Sequence, residues 1–168
     1  MSRSLKPAAL VLVVLAVAST AAAARQSDRR QPMDIEAAHS DCGLGANATC
    51  TLTGNVTISQ GTLHIVAAKA VVQQAGGDPS RALLSGGVTL HQQLDDGANI
   101  DAKSANVDYD LRNEVVVFTG DVVINQARGS LTGQRVVYNM KTGQVESGGA
   151  GSGRVKMRIL PKSGGGAG

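Results

Sequence analysis

The chain has 168 residues, with 21 Gly, no Trp, one Phe, two Tyr and a formal net charge of +3. Setting aside a leader of two dozen residues leaves one domain's worth of chain, enough for one sizeable core, and almost equal numbers of basic and acidic residues. No Lys/Arg cluster is interleaved with aromatics, which argues against nucleic acid as a partner.

Arg3 and Lys6 precede an unbroken apolar run over residues 8–18 and a small-residue stretch ending Ala22-Ala23-Ala24. That order is expected of a secretory signal peptide over residues 1–24, cleaved after Ala24, so that the chain works outside the cytoplasm. The rival is a retained membrane anchor, although residues 7–24 are barely long enough to span a bilayer. Cys42 lies too far from the run to be a lipoprotein-type acceptor. Residues 25–31 are polar and are expected to be disordered. Met33-Asp34-Ile35-Glu36-Ala37 alternates and opens the first strand.

Cys42 and Cys50 are close together, and an exported chain meets oxidising conditions. They are expected to form a disulfide across a hairpin connection, contributing about 2.5 kcal/mol on chain-entropy grounds. Two inert free thiols are the alternative; a metal site would need a second pair of ligands. The next strand is the clearest in the chain. Cys50, Leu52, Gly54, Val56 and Ile58 take one parity, and Thr51, Thr53, Asn55, Thr57 and Ser59 the other. A side-chain period of two sends the first set inward and the second to water. Gly54 is expected to face inward, at a bend or bulge.

The phrase Gly54-Asn55-Val56-Thr57-Ile58-Ser59-Gln60 returns as Gly120-Asp121-Val122-Val123-Ile124-Asn125-Gln126, with a weaker copy at Gly87-Val88-Thr89-Leu90-His91-Gln92. A unit of ~33 residues implies one piece of strand architecture stacked along an axis. The lead-ins Ile35-Glu36-Ala37 and Ile100-Asp101-Ala102 align as well, placing Cys42 on Val107 and Cys50 on Val116. The second copy reads as a hairpin turning at Leu111-Arg112-Asn113, so the disulfide would staple the matching hairpin of the first copy. Gly76-Gly77, Asp95-Asp96-Gly97 and Lys141-Thr142-Gly143 mark turns. Residues 148–153 read as a flexible break. Residues 154–160 form a final alternating strand, with Val155, Met157 and Ile159 on one face and Arg154, Lys156 and Arg158 on the other. Residues 162–168 are tail.

A stack of strands has two open ends, and no helix in this sequence is available to cover either. Such ends invite head-to-tail association. Catalytic signatures are missing: there is no G-x-S-x-G, P-loop or H-E-x-x-H. His64 and His91 alternate with inward residues and read as solvated surface groups, and His39 is isolated. Asp95-Asp96 and Asp108/Asp110 sit where Asp favours turns. Asn47-Ala48-Thr49 and Asn55-Val56-Thr57 match the glycosylation sequon by chance. The chain is read as a non-enzyme with no cofactor or metal. Its inward face is either a plain dry core or, if the roll is left open along one side, a greasy channel.

Several stretches carry a family resemblance: residues 32–37, the run Thr53-Gly54-Asn55-Val56-Thr57-Ile58-Ser59-Gln60-Gly61-Thr62-Leu63, residues 67–72 and 107–111, and Val117-Phe118-Thr119-Gly120-Asp121-Val122. Over residues 32–161 the chain resembles the OstA-like family, the periplasmic bridge proteins of lipopolysaccharide transport. The resemblance implies an all-β fold, a twisted antiparallel β-jellyroll of stacked repeats open along a groove. It implies lipid A acyl chains as cargo, carried across the Gram-negative periplasm for outer-membrane assembly. It also implies end-to-end docking between an inner-membrane-anchored partner and the amino-terminal domain of an outer-membrane translocon. The lipid-contacting positions it implies are Met33, Ile35, Leu90, Tyr109 and Leu111, joined by alternation with Val56, Ile58, Phe118, Val122 and Ile124. The Cys42–Cys50 pair and the Gly-rich carboxyl end depart from better-known members. The rival readings are a membrane-anchored relative in the same pathway and a structural or adhesive β-repeat protein with a dry core.

Overall fold

The computed structural model describes residues 27–149 and 153–161. The expected signal peptide, the middle of the expected 148–153 break and the 162–168 tail lie outside the described residues. Ten strands follow in order: β1 (Asp34–Glu36), β2 (His39–Cys42), β3 (Thr49–Gln60), β4 (Leu63–Ala75), β5 (Asp78–Gln93), β6 (Asn99–Asp110), β7 (Val115–Gln126), β8 (Gly129–Asn139), β9 (Gln144–Ser147) and β10 (Lys156–Ile159). They form one antiparallel sheet, in which β3 to β8 pair in chain order. β1 and β2 share the outer edge of β3, and β9 and β10 share the outer edge of β8. The sheet does not close on itself, so both edges keep unpaired backbone groups.

The repeated glycines explain how one sheet buries itself. Gly54 and Asn55, Gly86 and Gly87, and Gly120 and Asp121 all have positive φ, and the ladder slips at each pair. Each is a β-bulge, one residue longer than the facing stretch of the next strand, and a bulge bends its strand. The bulges stack side by side: a Cβ on Gly54, Gly86 or Gly120 would sit 2.6–2.7 Å from the Cβ of Ala38, Ala68 or Ala105. Glycine is required there both by φ and by space. The aligned bends make a crease along the sheet, folding it into two layers around one apolar core. The middle copy of the repeat therefore begins at Gly86, one residue earlier than the sequence phrase at Gly87. Gly54 does not face inward as expected: it is exposed on the outside of the crease.

The long strands run unbroken through the crease. In β4 the buried positions are Leu63, Ile65 and Ala67, then Ala70 and Val72. Their parity changes because β4 carries no extra residue to match the bulges of β3 and β5. β6 does the same between Ser104 and Val107. Cys42 and Cys50 form the expected disulfide and face each other across β2 and β3. In the second copy Val116 faces Tyr109, so Cys42 matches Tyr109 and not Val107.

Candidate functional site

With the crease forming the spine, the strand ends meet on the opposite side. One lip consists of the connections at 61–62, 94–98 and 127–128; the other consists of 43–48, 76–77, 111–114 and 140–143. No strand pairing crosses from lip to lip. The roll is thus closed by backbone along its spine and by side chains alone along its mouth.

The sequence-predicted lipid-contacting residues divide by depth. Val56, Ile58, Leu90, Tyr109, Phe118, Val122 and Ile124 are buried in the common core, with Val56 fully buried, Phe118 1 % exposed and Ile58 2 % exposed. Met33, Ile35 and Leu111 are half-buried against the same cluster. The five residues named by alternation and the five named by resemblance therefore all lie in or against one apolar core. Most of the wall is buried against its opposite layer, and the roll stays open along the mouth, where no strand pairing joins the lips.

The inner wall keeps apolar surface within reach of solvent at the carboxyl-terminal end and on the mouth. At the first, Ile124, Leu131, Val145, Met157 and Ile159 line a concavity flanked by Arg128 and Arg158. Met157 and Ile159 are 62 % and 74 % exposed, since β10 has a neighbour on one side only. The expected docking residues Val155, Met157 and Ile159 are all exposed, but Val155 precedes the strand: pairing with β8 begins at Lys156. The second is on the mouth, between Met33 and Gln60 on one side and Pro79, Tyr109 and Leu111 on the other, beside Arg29 and Glu114.

Of the stretch 25–31 that was expected to be disordered, residues 27–31 are described, and polar contacts hold them in place. Asp28–Arg30 form a single 3-10 turn, and Asp28 is only 5 % exposed. The segment is ordered because its polar groups find partners that its composition does not reveal. Asp28 accepts a hydrogen bond from the Thr62 hydroxyl, the Arg29 guanidinium pairs with Glu114, and it also donates to the Met140 carbonyl at 2.7 Å. Nearby, burial pushes the Tyr138 hydroxyl up to about 12, opposed by Arg29 and aided by Asp95. Burial also raises Tyr109, with Glu114 adding to the shift and Arg29 opposing it.

The outer face carries polar pairs. His91 Nδ1 lies 2.7 Å from Asp101, and Ser59 Oγ lies 3.0 Å from His64 Nδ1. Both imidazoles are exposed as expected. Arg81 pairs with Asp108, which raises the guanidinium further. Hydrogen bonds from Asn113 hold the Asp110 carboxyl below its usual range. Among the described residues no group of His, Cys, Asp and Glu is arranged to hold a metal ion, and no helix is long and apolar enough to cross a membrane.

An open, creased roll of this form has known relatives. The family described as "LptA/(LptD N-terminal domain) LPS transport protein" matches residues 34–144. This chain belongs to that family. The lipopolysaccharide export system protein LptA of Haemophilus influenzae is 31 % identical over 156 residues, covering 90 % of each chain. The protein of the same name from Escherichia coli K12 is 30 % identical over 136 residues, covering 79 % of this chain and 73 % of its own. The crystal structure of LptH from Pseudomonas aeruginosa, described as the LptA-homologous periplasmic component of the lipopolysaccharide transport device, superposes with a TM-score of 0.73 at 21 % identity. It covers 80 % of this chain and 99 % of that one. The LptA-family match spans β1 to the start of β9, so it takes in the crease and both lips. The amino-terminal turn and β10 lie outside it.

Proposed function

We propose that this chain is a periplasmic lipopolysaccharide carrier that bridges the inner and outer membranes. It holds the acyl chains of lipid A against the inner wall of the roll and passes them along the stack. The observation that carries this reading is the mouth: an apolar interior bounded on one long side by side chains only, in a member of a lipopolysaccharide transport family. A twelve-carbon acyl chain costs about 9 kcal/mol to expose to water, so a route across an aqueous compartment must shield it throughout. Parting the lips costs packing but no ladder hydrogen bonds. The contacting residues are Met33, Ile35 and Leu111 near the surface and, once the lips part, Val56, Ile58, Leu90, Tyr109, Phe118, Val122 and Ile124. Neither the transport family nor this proposal involves catalysis.

The two free edges suit head-to-tail association, with an inner-membrane-anchored partner at one end of the stack and the amino-terminal domain of an outer-membrane translocon at the other. β1 turns Asp34 and Glu36 to solvent around the half-buried Ile35. β10 exposes Lys156 and Arg158 in alternation with Met157 and Ile159. Joining these edges sets acid beside base on the outer face and extends the apolar wall within. The β2 and β9 edges lack this match, since Asp41 would meet Glu146.

Photocrosslinking from Leu111 and Phe118 in cells tests the cargo. Lipopolysaccharide adducts are expected at both positions, and adducts at neither would favour a dry core. Replacing both Lys156 and Arg158 by Glu should abolish association in light scattering, and mixing that variant with a Asp34→Lys/Glu36→Lys chain should restore it. Mass spectrometry of the exported protein should find a mature start at Arg25; an intact amino terminus would favour the membrane-anchored reading.

A further inference from the structure

We infer that the amino-terminal turn is a strap that shuts the mouth of the roll, and that an incoming apolar chain has to displace it. This rests on the carrier reading above and adds its regulation.

Consecutive residues of the turn are tied to opposite lips. Asp28 is held by Thr62 on the first lip, and the Gln60 side chain donates to the Gln31 carbonyl at 3.1 Å on the same side. Arg29 reaches across to Glu114 and to the Met140 carbonyl on the second lip. No backbone ladder joins the lips, so these polar contacts are direct ties across the mouth. The strap also lies beside Met33, Tyr109 and Leu111, where the wall comes nearest to solvent.

The strap has the features of a releasable contact. A single 3-10 turn has almost no stability of its own. Its hold comes from charged and hydrogen-bonded groups, and partly buried ion pairs bring little net stabilisation. Its shut state is imperfect, because Arg29 Nε and the Tyr138 hydroxyl are buried without hydrogen-bond partners. Glu114 adopts a φ of 57°, a left-handed conformation that is strained for this residue, and presents its carboxylate to Arg29. Strain of this kind gathers where a structure switches between states.

The test uses the mature chain and dansyl-undecanoic acid, whose emission rises in apolar surroundings, with binding followed by stopped flow. Arg29→Ala and Glu114→Gln should each raise the association rate about fivefold and lower the apparent Kd by a similar factor, since a larger fraction of molecules is open. Hydrogen exchange at residues 28–33 should rise in both. High salt should speed binding to the unaltered chain and leave Glu114→Gln unmoved. Arg81→Ala removes an ion pair on the outer face and should change none of these readings. Faster exchange at 28–33 with an unchanged association rate would overturn the strap while leaving the carrier reading intact. Failure of the probe to bind any form would overturn both.

Discussion

Gly120 on the spine and Glu114 on the mouth share a backbone conformation that side chains rarely adopt, with φ of 79° and 57°. At Gly120 the conformation bends a strand inside a continuous ladder, and the neighbouring Ala105 leaves no room for a side chain. At Glu114 it closes a turn, and the side chain that causes the strain also makes the ion pair to Arg29. The spine is therefore built to keep one geometry. The mouth is held by contacts that can be exchanged for others. A carrier needs both, because an enclosure that opened along both sides would be two separate sheets, and one that opened along neither would admit nothing.

The comparison can be broken or sharpened by substitution. The largest effect is expected from the wall that joins the two regions. Ile58→Asp buries an unpaired charge and should cost at least about 4 kcal/mol or prevent folding, whereas Thr57→Asp on the outer face should cost less than about 1 kcal/mol. Equal damage from both in urea denaturation would mean that the strand parity is wrong. On the spine, Gly120→Val adds a strained φ and a clash with Ala105 and should cost about 3 kcal/mol. Adding Ala105→Gly should recover the part due to the clash and leave the part due to φ.

Effects at the mouth should be smaller and conditional. The Tyr138 hydroxyl titrates at about 12 in the folded chain, above the value near 10 expected after unfolding. Between these values the folded state keeps a proton that the unfolded state has released, so stability falls as pH rises from ~10 to ~12, by about 2 kcal/mol in all. Tyr138→Phe should remove that component of the slope and leave stability below pH ~9 nearly unchanged. The smallest change is expected for Glu114→Gly, which relieves the backbone strain and removes the ion pair, leaving thermal stability within about 1 kcal/mol of the unaltered chain. A loss as large as that of Gly120→Val would show that the mouth is as rigid as the spine.

Much of the site was legible because alternation is a local property. Val56, Ile58, Phe118, Val122 and Ile124 announce one face through side-chain period alone, and all five are buried. The glycine repeat likewise announced a stacked architecture. Legibility failed where a position depends on a neighbouring strand. The parity change between Ala67 and Ala70 leaves no mark in β4 itself; it follows from pairing with the longer strands beside it. The alignment of Cys42 missed by two residues for a related reason, since strand partners and not sequence spacing set the match with Tyr109. The order of Asp28–Arg30 was invisible because the groups that hold the Asp28 and Arg29 side chains are 34 to 111 positions away in the chain.

The order of amino acids thus dictated an all-β chain with one greasy face and bulges at regular intervals, because pleat geometry and glycine's freedom at positive φ act within a few bonds. Whether that face would stand open or pack upon itself, and which residues would span the mouth, depended on how two halves of one sheet come together. Those outcomes arise from burial and charge pairing between distant segments, which no local pattern encodes.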